Sequence, residues 1–189
     1  MKKVILPLVF AFSALSFIIF SSIEWSTDAS HSRLGFTIKH MGITDVNGEF
    51  KKFDVVLKTP NGDLSGASID MTAETTSINT GIEMRDNHLK TADFFDVTNH
   101  PTISFKSTSV TKLKGSEFKV IGDLTMKGIT RSVTLTAAHN GTVKNEAGKS
   151  VAGFKLTGLV KRSDFGVGQP SAGLSDEVKL LCDLEVVQN

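Results

Sequence analysis

Arg85, Asp86 and His88 form the cluster in this sequence whose residue types are best suited to chemistry. A guanidinium offers planar donors to an anionic or carbonyl oxygen. A carboxylate near an imidazole is a common arrangement for proton transfer. The same three side chains could equally form an ion pair that fixes one element onto another. The five histidines, His31, His40, His88, His100 and His139, contain no His-x-His and no His-Glu-x-x-His. No pair therefore has a recognised metal spacing, and no metal centre is expected. The single cysteine, Cys182, excludes an intramolecular disulfide and any multi-cysteine zinc or iron–sulfur site. It shares the apolar face of a strand pattern, which marks a buried, inert thiol. No glycine-rich phosphate loop or nucleophile elbow occurs, so the commonest nucleotide and hydrolase chemistries are removed, and no catalytic residue is assigned.

Composition narrows the classes further. The 189 residues carry 21 Lys+Arg against 20 Asp+Glu, a net charge of +1. That balance lacks the basic stripe a nucleic-acid binder needs, and it also argues against an acidic disordered tail. The first 22 residues read as an export signal: Met1-Lys2-Lys3 precedes an apolar run from Val4 to Phe20. The alternative is an uncleaved anchor, because a run of this length touches the lower limit for spanning a bilayer. With the signal cleaved, no stable membrane span remains. The domain proper is read as residues 23–189, an exported domain.

Those residues alternate with period two, which is the mark of half-buried strands. Leu34, Phe36, Ile38 and His40 share one face. Ala67, Ile69, Met71 and Ala73 share another, and Ile103 and Phe105 continue the pattern. Later faces comprise Phe118, Val120, Gly122, Leu124 and Met126; then Val133, Leu135 and Ala137; then Ala152, Phe154, Leu156, Gly158 and Val160; and finally Val178 to Val186. Turns are expected at Asn47-Gly48, Asn61-Gly62, Lys114-Gly115, Lys127-Gly128 and Asn140-Gly141. Asn140-Gly141-Thr142 also matches a glycosylation sequon, but a hairpin turn explains it. A bulge or bend is expected at Phe50-Lys51-Lys52-Phe53. Thr80 to Ala92 is the exception, expected as one helix with Thr80 and Glu83 as a capping box and Ile82, Met84 and Leu89 as apolar anchors. The fold expected is all-β: an extended antiparallel eight-stranded barrel with one short α-helix near a barrel end.

An eight-stranded barrel is wide enough to be filled by side chains or to hold one small ligand. The inward positions mix Phe and Met, which fill space, with Gly and Ala, which leave it. Residue types alone leave both a packed core and a ligand cavity open.

Several stretches resemble the YceI family of polyisoprenoid-binding, lipocalin-like proteins. They are Trp25 to Ser32, Phe36 to Met41, and Gly48-Glu49-Phe50. More specific are Ser77 to Thr80, Met84-Arg85-Asp86-Asn87-His88-Leu89-Lys90 and Asp93-Phe94-Phe95-Asp96, followed by Pro101 to Phe105. Gly122 to Arg131 and Arg162-Ser163-Asp164-Phe165-Gly166 complete the set. The resemblance spans roughly residues 24–187. It implies a lipocalin-like barrel in the bacterial periplasm, with an apolar pocket for a long isoprenoid or similar amphiphile.

The function expected is a carrier without cofactor chemistry. A polyisoprenoid, quinone or fatty-chain lipid would lie along Phe36, Ile38, Phe50, Ile69, Met71, Phe105, Phe118, Leu124 and Phe154. Its head would meet Arg85, Asp86, His88 and His40, with Leu89 and Phe94 adjoining. The rival reading is an enzyme acting on such a lipid, with His40 or His88 as acid/base beside Asp86. A third is a structural protein whose cavity is incidental. A homodimer is compatible with the sequence, although no residue marks an interface.

Overall fold

The computed structural model describes residues 22–60 and 62–189. The export segment expected at residues 1–22 lies outside the described residues, apart from Ser22, which opens the first strand.

Eleven strand segments build an eight-stranded antiparallel barrel, because six of them are halves of three bent strands. β1 (Ser22–Thr27) and β2 (Arg33–His40) both pair with the long β11 (Leu174–Gln188). β3 (Thr44–Phe50) continues into β4 (Phe53–Pro60), and β5 (Ser68–Glu74) continues into β6 (Ile78–Asn79). β7 (Thr102–Lys112), β8 (Glu117–Met126), β9 (Ile129–Lys144) and β10 (Ser150–Lys161) then follow as a plain meander. β11 returns to β1 and the ring closes.

The bend at Lys51-Lys52 appears as expected, and it is paired with a second. Lys51 N and Lys52 N donate to Ser77 O and Ser77 Oγ, both at 3.1 Å. Ser77 ends the short 3-10 turn Thr75–Ser77, so two neighbouring strands bend at the same level. Thr75, fully buried, fixes that level by donating its hydroxyl to His100 O at 2.8 Å.

Between β1 and β2 the chain leaves the ladder at Asp28–Ser32. The Ser32 hydroxyl stands in for a backbone group, accepting from Glu185 N at 2.8 Å. Asp28 N donates to Glu185 O at 2.8 Å. His31 Nδ1 lies 3.1 Å from Asp28 Oδ2 and 3.7 Å from Glu185 Oε1. The hydrogen bond from His31 and that from Ser30 N hold the Asp28 carboxyl below its ordinary value. The same Asp28 contact, helped by the charges of Asp28 and Glu185, raises His31.

Two of the expected turns are not turns. Asn47-Gly48 lies within β3, and the hairpin reverses earlier, at Met41-Gly42, where both residues have positive φ. Gly48 serves close approach instead: a Cβ there would sit 2.3 Å from Phe36 Cζ. Asn140-Gly141 lies within β9, where the register with β10 shifts between His139↔Phe154 and Gly141↔Gly153. It is a bulge site, the other common role of a strand glycine. The reversal there falls at Asn145–Lys149, closed by Asn145 N to Lys149 O at 3.0 Å. The turns at Lys114-Gly115 and Lys127-Gly128 form as expected.

The helix is shorter than expected: α1 is Glu83–Leu89, seven residues. No capping box forms, and Ile82 occupies the N-cap without a side-chain bond. Thr80 is engaged elsewhere, because its hydroxyl donates to Asp86 Oδ1 at 2.5 Å and accepts from Arg85 Nε at 2.7 Å. Ile82 and Met84 are not anchors, being 51% and 81% exposed. Of the three expected anchors only Leu89 packs against the core.

Gly122 faces the Phe105 ring and the Lys106 carbonyl; a Cβ there would lie 2.6 Å from that backbone oxygen. Gly122→Ala should lower stability by about 1–3 kcal/mol in chemical denaturation, the range for overpacking. Gly173→Ala, which meets nothing within 4 Å, should stay within about 0.5 kcal/mol. The Asp28–His31 contact gives a second expectation. Raised His31 stabilises fully below its ordinary value of 6.5 and loses the effect as pH rises through its folded value. Depressed Asp28 stabilises above 3.8 and loses the effect as pH falls. The stability difference between the protein and His31→Gln should therefore be largest between those two values and vanish in alkali.

Candidate functional site

Inward side chains from both ends of the barrel meet at the axis, but they fill it unevenly. Toward the turns at Lys114-Gly115 and Asn145–Lys149 the interior is packed by Val110, Phe118, Val120, Ala137 and Val186, all buried. A residual void there measures about 40 Å³, little more than one water's share of liquid volume. Above it lies an apolar chamber of about 100 Å³, and above that one of about 330 Å³. The upper two share Phe36, Phe50, Met126 and Leu180 as a partition, and the lower two share Val55, Ile69, Leu156 and Leu184. The voids therefore line up along the axis and widen toward one end.

The segment between β6 and β7 covers that wide end. Arg85, His88 and Leu89 recur at helical spacing, which places them together on one face of α1, and all three line the upper chamber. Phe95 follows, its ring edge-on to Phe50 at 5.6 Å between centroids. Phe94 sits against the His88 ring at 5.0 Å. Lys127 Nζ ties the cover down, donating to Ala92 O at 2.7 Å and Gly166 O at 3.0 Å. Gly168 N donates to Asp93 O at 3.0 Å, and a Cβ at Gly168 would strike Phe94.

Of the residues expected to bind, Phe36, Ile38, His40 and Phe50 line the upper chamber, as do Arg85, His88, Leu89 and Phe94. Ile69, Met71, Phe105 and Leu124 line the middle one. Phe118 and Phe154 border only the smallest void, so they belong to the packed floor. Asp86 lines none of the three. Its carboxylate accepts from Thr80 N at 2.8 Å as well as from the Thr80 hydroxyl. Asp86 therefore folds the approach to α1. His88 Nε2 finds Asp93 Oδ2 at 3.6 Å, with both side chains largely exposed. Asp86 is thus not the acid beside it.

Arg162 was missed as a site residue. It is 4% exposed and lines the upper chamber. Its Nε donates to Ser175 O at 2.9 Å, Nη1 to Val167 O and Gln169 O at 3.1 and 3.0 Å, and Nη2 to Leu174 O at 3.3 Å. The signal was present: the inward phase of Gly158 and Val160 continues to residue 162. Val178, Leu180 and Met126 also line the chamber, although they were read only as members of strand faces.

Cys182 lines the middle chamber, and burial pushes its thiol up to about 11. Among the described residues one group has the spacing of a metal site, Asp28, His31 and Glu185. It lies at the excursion between β1 and β2, where the hydrogen bonds already account for it. No helix among the described residues is long and apolar enough to cross a membrane.

These features define the class: a closed, lipocalin-like β-barrel with an apolar internal cavity under a helical cover. A family model for the YceI-like domain matches residues 25–186, and the chain belongs to that family. It is 36% identical to Protein YceI of Shigella flexneri over 191 residues, covering 100% of this chain and 99% of that protein. The crystal structure of Campylobacter jejuni YceI superposes with a TM-score of 0.73 at 33% identity, covering 86% of this chain and 96% of that one. A polyisoprenoid-binding domain from Saccharophagus degradans, implicated in plant cell wall breakdown, shares the fold at a TM-score of 0.62 and 14% identity. It covers 87% of this chain and 98% of that one.

Cys182 should resist a thiol-specific disulfide reagent near neutral pH while the protein is folded, since the thiol is both enclosed and protonated. It should react at once after denaturation. Rapid labelling of the native protein would contradict the enclosure.

Proposed function

We propose that the protein is a periplasmic carrier that holds a polyisoprenoid or a similar long-chain amphiphile. The tail runs down the barrel axis and the head stays beneath α1. The observation that carries this reading is the line of apolar chambers that widens toward a polar cover. A filled core would need no such gradient. The Saccharophagus degradans neighbour, described as a polyisoprenoid-binding domain, supports the choice of ligand. The basic start and apolar run of residues 1–22 support export.

The energetics require a long tail. Burying about ten methylenes yields on the order of 8 kcal/mol, at about 0.8 kcal/mol each. Association costs about 4–15 kcal/mol, so a short tail would not be retained. Met126, in the partition between the upper chambers, is an adaptable side chain that can yield to such a tail.

Native mass spectrometry of the purified protein, before and after organic extraction, tests the proposal. A co-purifying lipid, or uptake of added solanesol by extracted protein, is expected. Absence of both would overturn the reading. Val178 faces the upper chamber and is half-buried. Val178→Trp should fill that space and weaken solanesol uptake about tenfold or more, at a stability cost of no more than about 1–3 kcal/mol, the range for a small-to-large change. A purely structural barrel would bind neither before nor after the change.

A further inference from the structure

We infer that the upper chamber selects an amphiphile with an anionic head, a carboxylate or a phosphate monoester, over a neutral head on the same chain. The inference rests on the carrier reading and adds the charge of the cargo.

The polar residues lining the chamber are His40, Thr80, Arg85, His88 and Arg162, and no Asp or Glu lines it. The two arginines differ in kind. Arg162 is buried and has no carboxylate within 4 Å among the described residues; carbonyl oxygens take its hydrogen bonds. Asp176 stands beyond contact, its carboxyl lowered by the Ser163 bonds and in smaller part by the Arg162 charge. A guanidinium carries five N–H groups. The four bonds leave one Nη2 hydrogen without a protein acceptor among the described residues. Carbonyl dipoles satisfy hydrogen bonds, but they do not cancel a buried positive charge.

Arg85 is half-buried at the cover. Its Nε donates to Thr80 Oγ1 and its Nη2 to Thr80 O at 2.8 Å, while no Nη1 bond is made among the described residues. Asp86 approaches this arginine only through Thr80, a neutral relay. The remaining acids nearby are turned outward. Asp93 meets His88 at the exposed rim, and Asp176 accepts from Ser163 N and Ser163 Oγ at 3.0 and 2.7 Å. The lining therefore carries two fixed positive charges and no carboxylate of its own; Asp86 behind Thr80 and Asp176 behind Ser163 offset those charges only from outside the chamber.

An alcohol, amide or quinone head would accept hydrogen bonds from these groups and leave the charges standing. A carboxylate or phosphate would do both, through charge-assisted bonds about twice as strong as neutral ones. Its own desolvation offsets part of that gain.

The test uses the extracted full-length protein and two matched pairs: oleate with oleyl alcohol, and farnesyl phosphate with farnesol. Binding of the anion at least tenfold tighter in either pair is expected, and the pair that shows it names the head. Arg85→Gln should weaken binding of the anion by a clearly larger factor than binding of its matched alcohol, and Arg85→Lys should restore part of that difference. Equal or tighter binding of both neutral partners would overturn the anion inference and leave the carrier reading intact. Failure of all four while solanesol still binds would also overturn the anion inference, and failure of solanesol as well would overturn the carrier reading itself.

Discussion

Closure of this barrel depends on β11 serving two partners along one edge. Gln188, Val187 and Val186 pair with β1, whereas Asp183 back to Leu174 pair with β2. Between them Glu185 is bridged by Asp28 and Ser32 instead of a regular ladder. A closed barrel has no exposed edge to manage. The requirement here is that one continuous strand, the seam, receive a neighbour that bends. The excursion at Asp28–Ser32 supplies the bend, and the bends at Lys51-Lys52 and Thr75–Ser77 repeat it in the next two strands. Three consecutive strands are therefore each interrupted once, while β7 to β10 each run as one segment.

The cavity shares that asymmetry, because its widest part is walled by the halves of the interrupted strands nearest the cover. At the lower level, aromatic and β-branched side chains close the axis as they do in any small barrel. At the upper level β2 and β3 supply Phe36, Ile38, His40, Val46 and Phe50 to the wall, and about 330 Å³ between them and the cover is left unfilled. The cover between β6 and β7 completes the enclosure, anchored by Phe95 against Phe50 and by Lys127 on two carbonyls. Packed core and ligand cavity are thus successive levels of one interior, which is why residue type alone left both open.

Strand faces were legible because inward residues alternate without interruption; Val120, Leu124, Phe154 and Val186 were all placed correctly by period. Turns were less legible. Asn-Gly signals a hairpin only when the chain has no stronger need for the glycine, and at Gly48 the Phe36 ring supplies that need. The helix start misled for a related reason. Thr80 has the chemistry of a cap, but Asp86 and Arg85 compete for its hydroxyl, a tertiary arrangement that no local motif encodes. Arg162 lay on a readable phase yet contradicts the rule that an arginine on an inward face is out of place.

Arg162 also explains why the end of the barrel holds its shape without a second sheet. The loop from Val167 to Gly173 has no regular ladder of its own beyond an isolated bridge between Ser171 and Leu174. One guanidinium gathers two of its carbonyls and the first two of β11, a task suited to a rigid planar fork and poorly served by a lysine. A neutral donor such as glutamine would offer fewer hydrogens and a shorter reach. Organising this loop therefore leaves a permanent positive charge against the cavity wall. The structural demand and the electrostatic character of the chamber come from the same side chain, so the chamber cannot be basic by accident of surface composition; it is basic because the loop over it must be held.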